Sequence, residues 1–302
     1  MAWRSVVITR PSRLTLKHQA LMVEQDDGKV TIPLEDMAVL LIENPQVNLT
    51  AQVLSECAAR QIAVITVGES HHPNGVLLAY LPHSRALKVM RGQLEMSQPS
   101  RKQLWQTIIR QKIRNQAGVL AARGHTVTAR RLETLAKDVR SGDTGMAEAQ
   151  ASQLYFPSLF GKGFSRQQDR FYNAALNYGY TVIRAALARS LVAYGFLTAF
   201  GLHHRSEQNA FNLADDLIEP FRPLLDAHVL ARFPNEEAES LTPPIKAALV
   251  ALLHEDVALM NDSETRGKAT LLAAIDEVVM SLSRQLASPS GRLTLPVFVP
   301  PH

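Results

Sequence analysis

Residues 103–122 read QLWQTIIRQKIRNQAGVLAA, and their period decides the fold. Trp105, Ile108, Ile109 and Ile113 recur at helical intervals, so one face of a long amphipathic helix is apolar. Downstream the same period returns in His125–Val139, Phe171–Phe200, Ala210–Leu230, Ile245–His254 and Ala269–Ala287. Glycine and proline gather between these stretches, at Pro157–Gly163 and at Thr242-Pro243-Pro244. Upstream the pattern is different. Trp3–Thr9, Arg13–Leu16, Ala20–Glu24, Val30–Leu34, Ala38–Ile42, Ile62–Val67 and Val76–Tyr80 are short, β-branched and apolar, and read as strands. Asp26-Asp27-Gly28 is a turn signal. One helix is predicted among the strands, Thr50–Arg60, with Val53, Leu54, Cys57 and Ala58 on its apolar face. The fold class is therefore α+β. A small β-rich N-terminal domain (1–80) passes through a connection (81–97) into a larger all-α domain (98–287). A tail with four prolines (288–302) is expected to lie along the surface or to be mobile.

Composition narrows the function classes. Hydrophobic residues are 46% and charged residues 20% of 302, as in a folded domain rather than a disordered chain. No apolar run is long enough to span a bilayer and Met1–Ser5 does not read as a secretory signal, so a cytoplasmic protein with no membrane partner is expected. Cys57 is the only cysteine, which excludes intramolecular disulfides and cysteine-rich zinc sites. The net charge of +4 conceals a strong segregation. Residues 1–80 carry −2, residues 81–190 carry +12 and residues 191–302 carry −6. A block this basic points to a polyanionic partner, of which nucleic acid is the commonest. Arginine outnumbers lysine 23 to 9, which suits bidentate phosphate contacts.

Several chemistries are absent from the motifs. Phe156 stands where a phosphate-binding loop ending at Gly161-Lys162 would need its first glycine. There is no G-x-S-x-G, H-E-x-x-H or dinucleotide fingerprint. His71-His72 lies in a turn-like segment and reads as a solvated loop. The run Gly201-Leu202-His203-His204-Arg205 through Asp215-Asp216-Leu217-Ile218-Glu219-Pro220-Phe221-Arg222 is richer. On a helix Asp216 and Glu219 share a face. Two carboxylates beside an imidazole would suit Mg²⁺ or Mn²⁺. Spacing alone favours a plainer arrangement, a solvated acidic face with a histidine at a helix end. Glu148, an acid inside the basic block, reads by itself as an ion-pair partner.

Three patches in order change this balance: Glu148–Phe156, Phe171-Tyr172-Asn173-Ala174-Ala175-Leu176-Asn177-Tyr178-Gly179-Tyr180, and Gly201–Arg222. With Ile32-Pro33-Leu34-Glu35-Asp36 and Leu41-Ile42-Glu43-Asn44-Pro45, they resemble the CRISPR-associated integrase, the metal-dependent DNA endonuclease of spacer acquisition. The form resembled is the one found with single-effector systems, and only the proline-rich tail lies outside the likeness. The resemblance implies a catalytic, metal-binding set on Glu148, His204 and Glu219. Glutamate stands at 219 where many relatives have aspartate. Asp216 matches a further acid that supports the site. If Gly201–Arg205 is helical, His203 points about 100° away from His204, and only one of the two can face the acids.

The resemblance further implies a protein that inserts short foreign DNA fragments into a CRISPR array. A 3′-hydroxyl attacks a phosphodiester, so the reaction is a transesterification, and water can replace the hydroxyl in nuclease cleavage. Double-stranded DNA, a second copy of the chain and a small ferredoxin-like protein are the implied partners. Tyr155, Arg166, Arg170 and Arg222 are the expected DNA contacts. The β-rich domain is the expected dimerisation element, with Ala38–Ile42 available for strand pairing. The competing readings are a non-catalytic DNA-binding scaffold of the same fold and a metal-dependent nuclease outside CRISPR.

Overall fold

The computed structural model describes residues 4–68, 73–80, 86–168, 170–234, 240–261, 264–288 and 291–300. Trp3 and the His71-His72 pair lie outside them. The N-terminal part is built on β5 (Met37–Ile42), whose MAVLLI is buried at all six positions. An aliphatic run without polar alternation is what a strand covered on both faces requires. β1 (Arg4–Ile8) and β7 (Ala63–Val67) flank β5 and run parallel to it, and β8 (Pro73–Leu77) pairs antiparallel with β7. The second sheet is a meander of β2 (Arg13–Lys17), β3 (Ala20–Gln25) and β4 (Gly28–Pro33), with β6 (Asn48–Leu49) parallel to β2. The turn expected at Asp26-Asp27-Gly28 joins β3 to β4. α1 (Ala51–Ala59) begins at Thr50, whose hydroxyl accepts the Val53 N–H. Leu40 and Ile42 of β5 join Leu14, Leu21, Val53 and Cys57 in one apolar cluster. Val39 and Leu41, on the other face, join the core of the helical part.

That larger part contains α2 (Ala86–Glu95), α3 (Gln98–Ala122), α4 (Thr126–Lys137), α5 (Ala147–Phe160) and α6 (Phe171–Ala193). α7 (Asn212–Leu217), α8 (Arg222–Arg232), α9 (Pro243–Ala251) and α10 (Leu271–Ala287) follow. α3 is the spine, packed against α4, α5, α8 and the turn before α8. Trp105, Ile108, Ile109 and Ile113 are all buried, as their spacing predicts. α6 ends before the expected Phe200, where Gly195 takes φ +83°, a left-handed conformation that stops a right-handed helix. The helix expected over Ala210–Leu230 is divided into α7, a 3-10 turn at Glu219–Phe221, and α8. Pro220 and Pro223 explain the division, since neither supplies the N–H that an uninterrupted helix needs.

The α+β class holds, but the C-terminal part is mainly rather than wholly helical. β9 (Asp256–Asn261), β10 (Glu264–Thr270) and β11 (Thr294–Val297) form an antiparallel sheet with β9 in the centre. The tail therefore does not simply lie along the surface. Leu293, Thr294 and Leu295 are buried, and Pro296 is accommodated because β11 is an edge strand. The expectation that Ala38–Ile42 is free for pairing with a second copy is also overturned, because both edges of β5 are taken by β1 and β7. Among the described residues, no helix is long and apolar enough to cross a membrane.

Candidate active site

Two carboxylates meet on one ammonium at the middle of α3. Lys112 Nζ donates to Glu148 Oε1 at 2.6 Å and also forms an ion pair with Glu219 Oε2. Arg222 Nε donates to Glu219 Oε1 at 2.8 Å. Burial alone would push the Glu219 carboxyl up, but Lys112 and Arg222 outweigh it and hold the pKa at about 2. Burial likewise disfavours the charged ammonium of Lys112, and Glu219 and Glu148 reverse that effect, so its pKa is raised. The side chain of Glu148 is 36% exposed and that of Glu219 6%, so the pair is open on the Glu148 side.

Each carboxylate is placed by its local sequence. Glu148 sits in the first turn of α5, after a tight reversal in which Gly142, Asp143 and Met146 all have positive φ. The Asp143 carboxylate accepts the N–H groups of Ala147 (2.8 Å) and Glu148 (3.0 Å), anchoring that helix start. Glu219 opens the 3-10 turn before α8. Asn115 of α3 secures this turn by donating to the Pro220 carbonyl at 2.7 Å, and it also donates to Pro296 O and accepts from Phe298 N–H. The tail is thereby tied to the turn that carries Glu219.

His204 is oriented by Asp216. The Asp216 carboxylate is fully buried and accepts the backbone N–H groups of Leu202, His203 and His204. Its Oδ1 lies 2.7 Å from His204 Nδ1. An ionised carboxylate can only accept, so Nδ1 carries the proton and Nε2 presents its lone pair whenever the ring is neutral. The hydrogen bond to Asp216 raises the imidazole pKa, with burial opposing and Glu219 and Asp215 assisting. Gly201 makes this loop possible, since a Cβ there would stand 2.5 Å from His204 O and 2.7 Å from Asp216 Oδ2. The segment is not helical, so His203 is separated from His204 by packing instead of helical phase. Its ring stacks on Trp105 of α3 with centroids 4.3 Å apart and planes 3° apart.

Glu148 and Glu219 are thus brought together through Lys112, whereas His204 is paired with Asp216 and feels the charge of Glu219 only as a minor contribution to its raised pKa. Among the described residues, no three acid, histidine or cysteine side chains are gathered into a ready-made cation cluster. The donor set nevertheless fits a hard divalent cation. It offers two carboxylates, both now engaged by Lys112, and an imidazole whose other nitrogen is held by a carboxylate.

The expected DNA contacts separate. Tyr155 is fully buried and donates to Asp226 Oδ2 at 2.9 Å, so it supports the site from beneath and does not face DNA. Tyr180 donates to the other oxygen of Asp226, and its ring lies under Arg222 (4.5 Å) and Arg166 (5.5 Å). Arg166 also donates to Asn173 and Asn177, and Arg222 is held by Glu219. Arg170 is exposed, as are Lys88, Arg114, Arg123, Arg130, Arg131 and Lys162 of the basic block. Lys112, Asp143 and Asn115 were not singled out by the sequence reading. For Lys112 a signal existed: it falls three residues after Ile109 and four after Ile108, a cation on the apolar stripe of α3.

The chain matches the family "CRISPR associated protein Cas1" over residues 6–241. It is 45% identical over 302 residues to the CRISPR-associated endonuclease Cas1 of Neisseria meningitidis serogroup C (strain 8013), with 99% of this chain and 98% of that protein covered. Among solved structures it is similar to a casposase bound to integration product, with TM-score 0.75 and 17% identity over 96% of this chain and 92% of that one. It is also similar to a chain of a Cas6-RT-Cas1–Cas2 complex, with TM-score 0.70 and 19% identity over 95% of this chain and 35% of that one. At such identities the structural likenesses concern the fold.

Proposed function

The chain belongs to the Cas1 family of CRISPR-associated proteins, and from that premise we propose that it is a metal-dependent DNA endonuclease and integrase that inserts short foreign DNA into a CRISPR array. The observation that supports this most is the meeting of Glu148 and Glu219, far apart in sequence, at one cationic point. A non-catalytic scaffold has no need to draw two carboxylates from separate elements onto one buried ammonium. Glu148, Glu219 and His204 would hold Mg²⁺ or Mn²⁺, which would polarise the scissile phosphate and ease deprotonation of an attacking 3′-hydroxyl or water. Asp216 holds the proton on His204 Nδ1 and so leaves the lone pair on Nε2. Arg222 holds Glu219 ionised and immobile. The exposed cations of the basic block, Arg170 among them, bind the DNA backbone. No protein nucleophile is required.

The reaction joins both ends of a fragment, so two copies of the site are needed, and a homodimer supplies them. The structural relative in the complex with Cas2 supports a small partner of that kind for this chain as well. The deciding experiment incubates the protein with that partner, a labelled duplex and a supercoiled plasmid carrying a repeat. Joined product is expected, and Glu148→Gln should reduce it by about 100-fold or more, a loss of a few kcal/mol of transition-state stabilisation, while leaving DNA affinity within about twofold. Cleavage without joining would favour a nuclease outside CRISPR. Unchanged joining by Glu148→Gln would overturn the site.

A further inference from the structure

Lys112 has a place that the proposed chemistry does not use. Its side chain is 8% exposed, buried within the stripe of α3 that packs the helical core, and its ammonium touches one oxygen of Glu148 and one of Glu219. The stem is fixed by its helix, because α3 is tied down on one side by the Trp105–His203 stack and on the other by the bonds of Asn115. The two carboxylates come from separate elements, α5 and the turn before α8. Without an intervening cation they would repel one another across this gap. A divalent ion bound by the same two oxygens would set a second positive charge against the buried ammonium, and that repulsion drives the ammonium out.

We propose that Lys112 is an internal counter-ion of the site: it keeps Glu148 and Glu219 assembled before a divalent ion binds, and it competes with that ion for them. The opening beside Glu148 is the route by which the displaced ammonium reaches solvent. Lys112 is then a positioning residue whose role ends when the ion arrives. It sets how tightly the site takes up metal and prevents the open carboxylates from separating in its absence.

This inference rests on the proposed metal-dependent reading, and the test separates the two. Mn²⁺ alone is titrated into the full-length wild-type protein, Lys112→Met and Glu148→Gln, with bound Mn²⁺ read by electron paramagnetic resonance. Lys112→Met should bind Mn²⁺ about tenfold more tightly than wild type, within the usual range of coupling between two competing ligands. Its melting temperature in chelator should be lower than that of wild type, and the deficit should shrink at saturating Mn²⁺. Equal or weaker Mn²⁺ affinity in Lys112→Met overturns the proposal. Wild-type protein that binds no Mn²⁺, or binds it as well after Glu148→Gln, overturns instead the reading on which the proposal stands. If Lys112→Met does not fold, wild-type protein suffices. Acylation of Lys112 by an amine-reactive ester, followed by mass spectrometry, should be several-fold faster with Mn²⁺ than in chelator, and equal rates overturn the displacement.

Discussion

Asp226 shows at the scale of one residue how the layer beneath the site is held. Its buried carboxylate receives the hydroxyls of Tyr155 and Tyr180, and Tyr180 in turn supports Arg222 and Arg166. Burial raises the carboxyl pKa to about 6, against the opposing effect of the two tyrosine hydrogen bonds. The folded state therefore retains a proton that the unfolded chain loses near pH 4, so stability falls as pH rises from about 4 to about 6. Across the whole titration the difference amounts to about 3 kcal/mol, of which about 2 kcal/mol falls in that window. Asp226→Asn has no such titration. Urea unfolding at pH 4 and pH 7 should show wild type losing about 2 kcal/mol relative to the variant, and an equal difference at both pH values would refute the assignment. Glu219 works the other way, with its depressed pKa contributing stability that disappears only below about pH 4. Little of this was legible in the chain. Glu148, His204 and Glu219 stood out through a resemblance, while spacing alone left Asp216 and Glu219 as an ordinary acidic face. Tyr155 looked like a DNA contact because a tyrosine near a site carries no mark of burial. It lies inside because Asp226, 71 residues later, satisfies its hydroxyl.

Elements were legible where one period governed them and illegible where long-range contacts decided. β5 and α3 follow directly from MAVLLI and from the apolar stripe around Trp105. The β9–β10 hairpin does not, because Asp256–Thr270 mixes a short apolar run with charged residues and acquires its third strand only from the tail. The tail has a function at this scale, since Asn115 bonds to Pro296 and Phe298 with the same amide that holds Pro220. Truncation after residue 291 should therefore lower the melting temperature and impair DNA joining, although the tail supplies no proposed ligand. Unfolding and strand-transfer assays would show both losses, and a truncated protein of full activity would show that the Glu219 turn stands without the tail. The histidine loop is equally exacting. Gly201→Ala places a methyl group against the His204 carbonyl and the Asp216 carboxylate, both of which are held in place. Overpacking of this kind costs about 1–3 kcal/mol. The loop should yield by moving His204, reducing cleavage and joining more than DNA binding. Unaltered cleavage kinetics in a stable Gly201→Ala protein would mean that the loop tolerates the shift.

The arrangement of the whole molecule follows from which surfaces remain unsatisfied. The central block carries +12 and presents many of its arginines and lysines to solvent, so DNA affinity should fall steeply with salt, by about 0.9 logarithmic units per neutralised phosphate for each decade. The N-terminal sheets carry −2 and none of the proposed ligands, and the proposed homodimer is expected to form through them. Removing residues 1–80 would not test this cleanly. Ala38, Val39, Leu41 and Ile65 belong to the helical core, and the deletion would strip that core of one wall. β5 cannot pair with a second copy, but β4 can, because it is an edge strand, is exposed along most of its length, and shows Val30 at 58% exposure. A two-fold dimer built on β4 would pair Gly28–Pro33 with the same strand of its partner and leave two helical parts free to hold one fragment of DNA. Light scattering should then give about 67 kDa, twice the 33.4 kDa of one chain, for the purified protein. Val30→Asp sets like charges opposite one another across such a two-fold pairing, and should shift the mass toward one chain while circular dichroism and melting temperature stay near those of wild type. Two-ended joining should fall with the dimer, and single-ended joining should persist. A Val30→Asp protein that remains a full dimer would place the interface on another edge, and a wild-type monomer that joins both ends unaided would remove the need for a dimer.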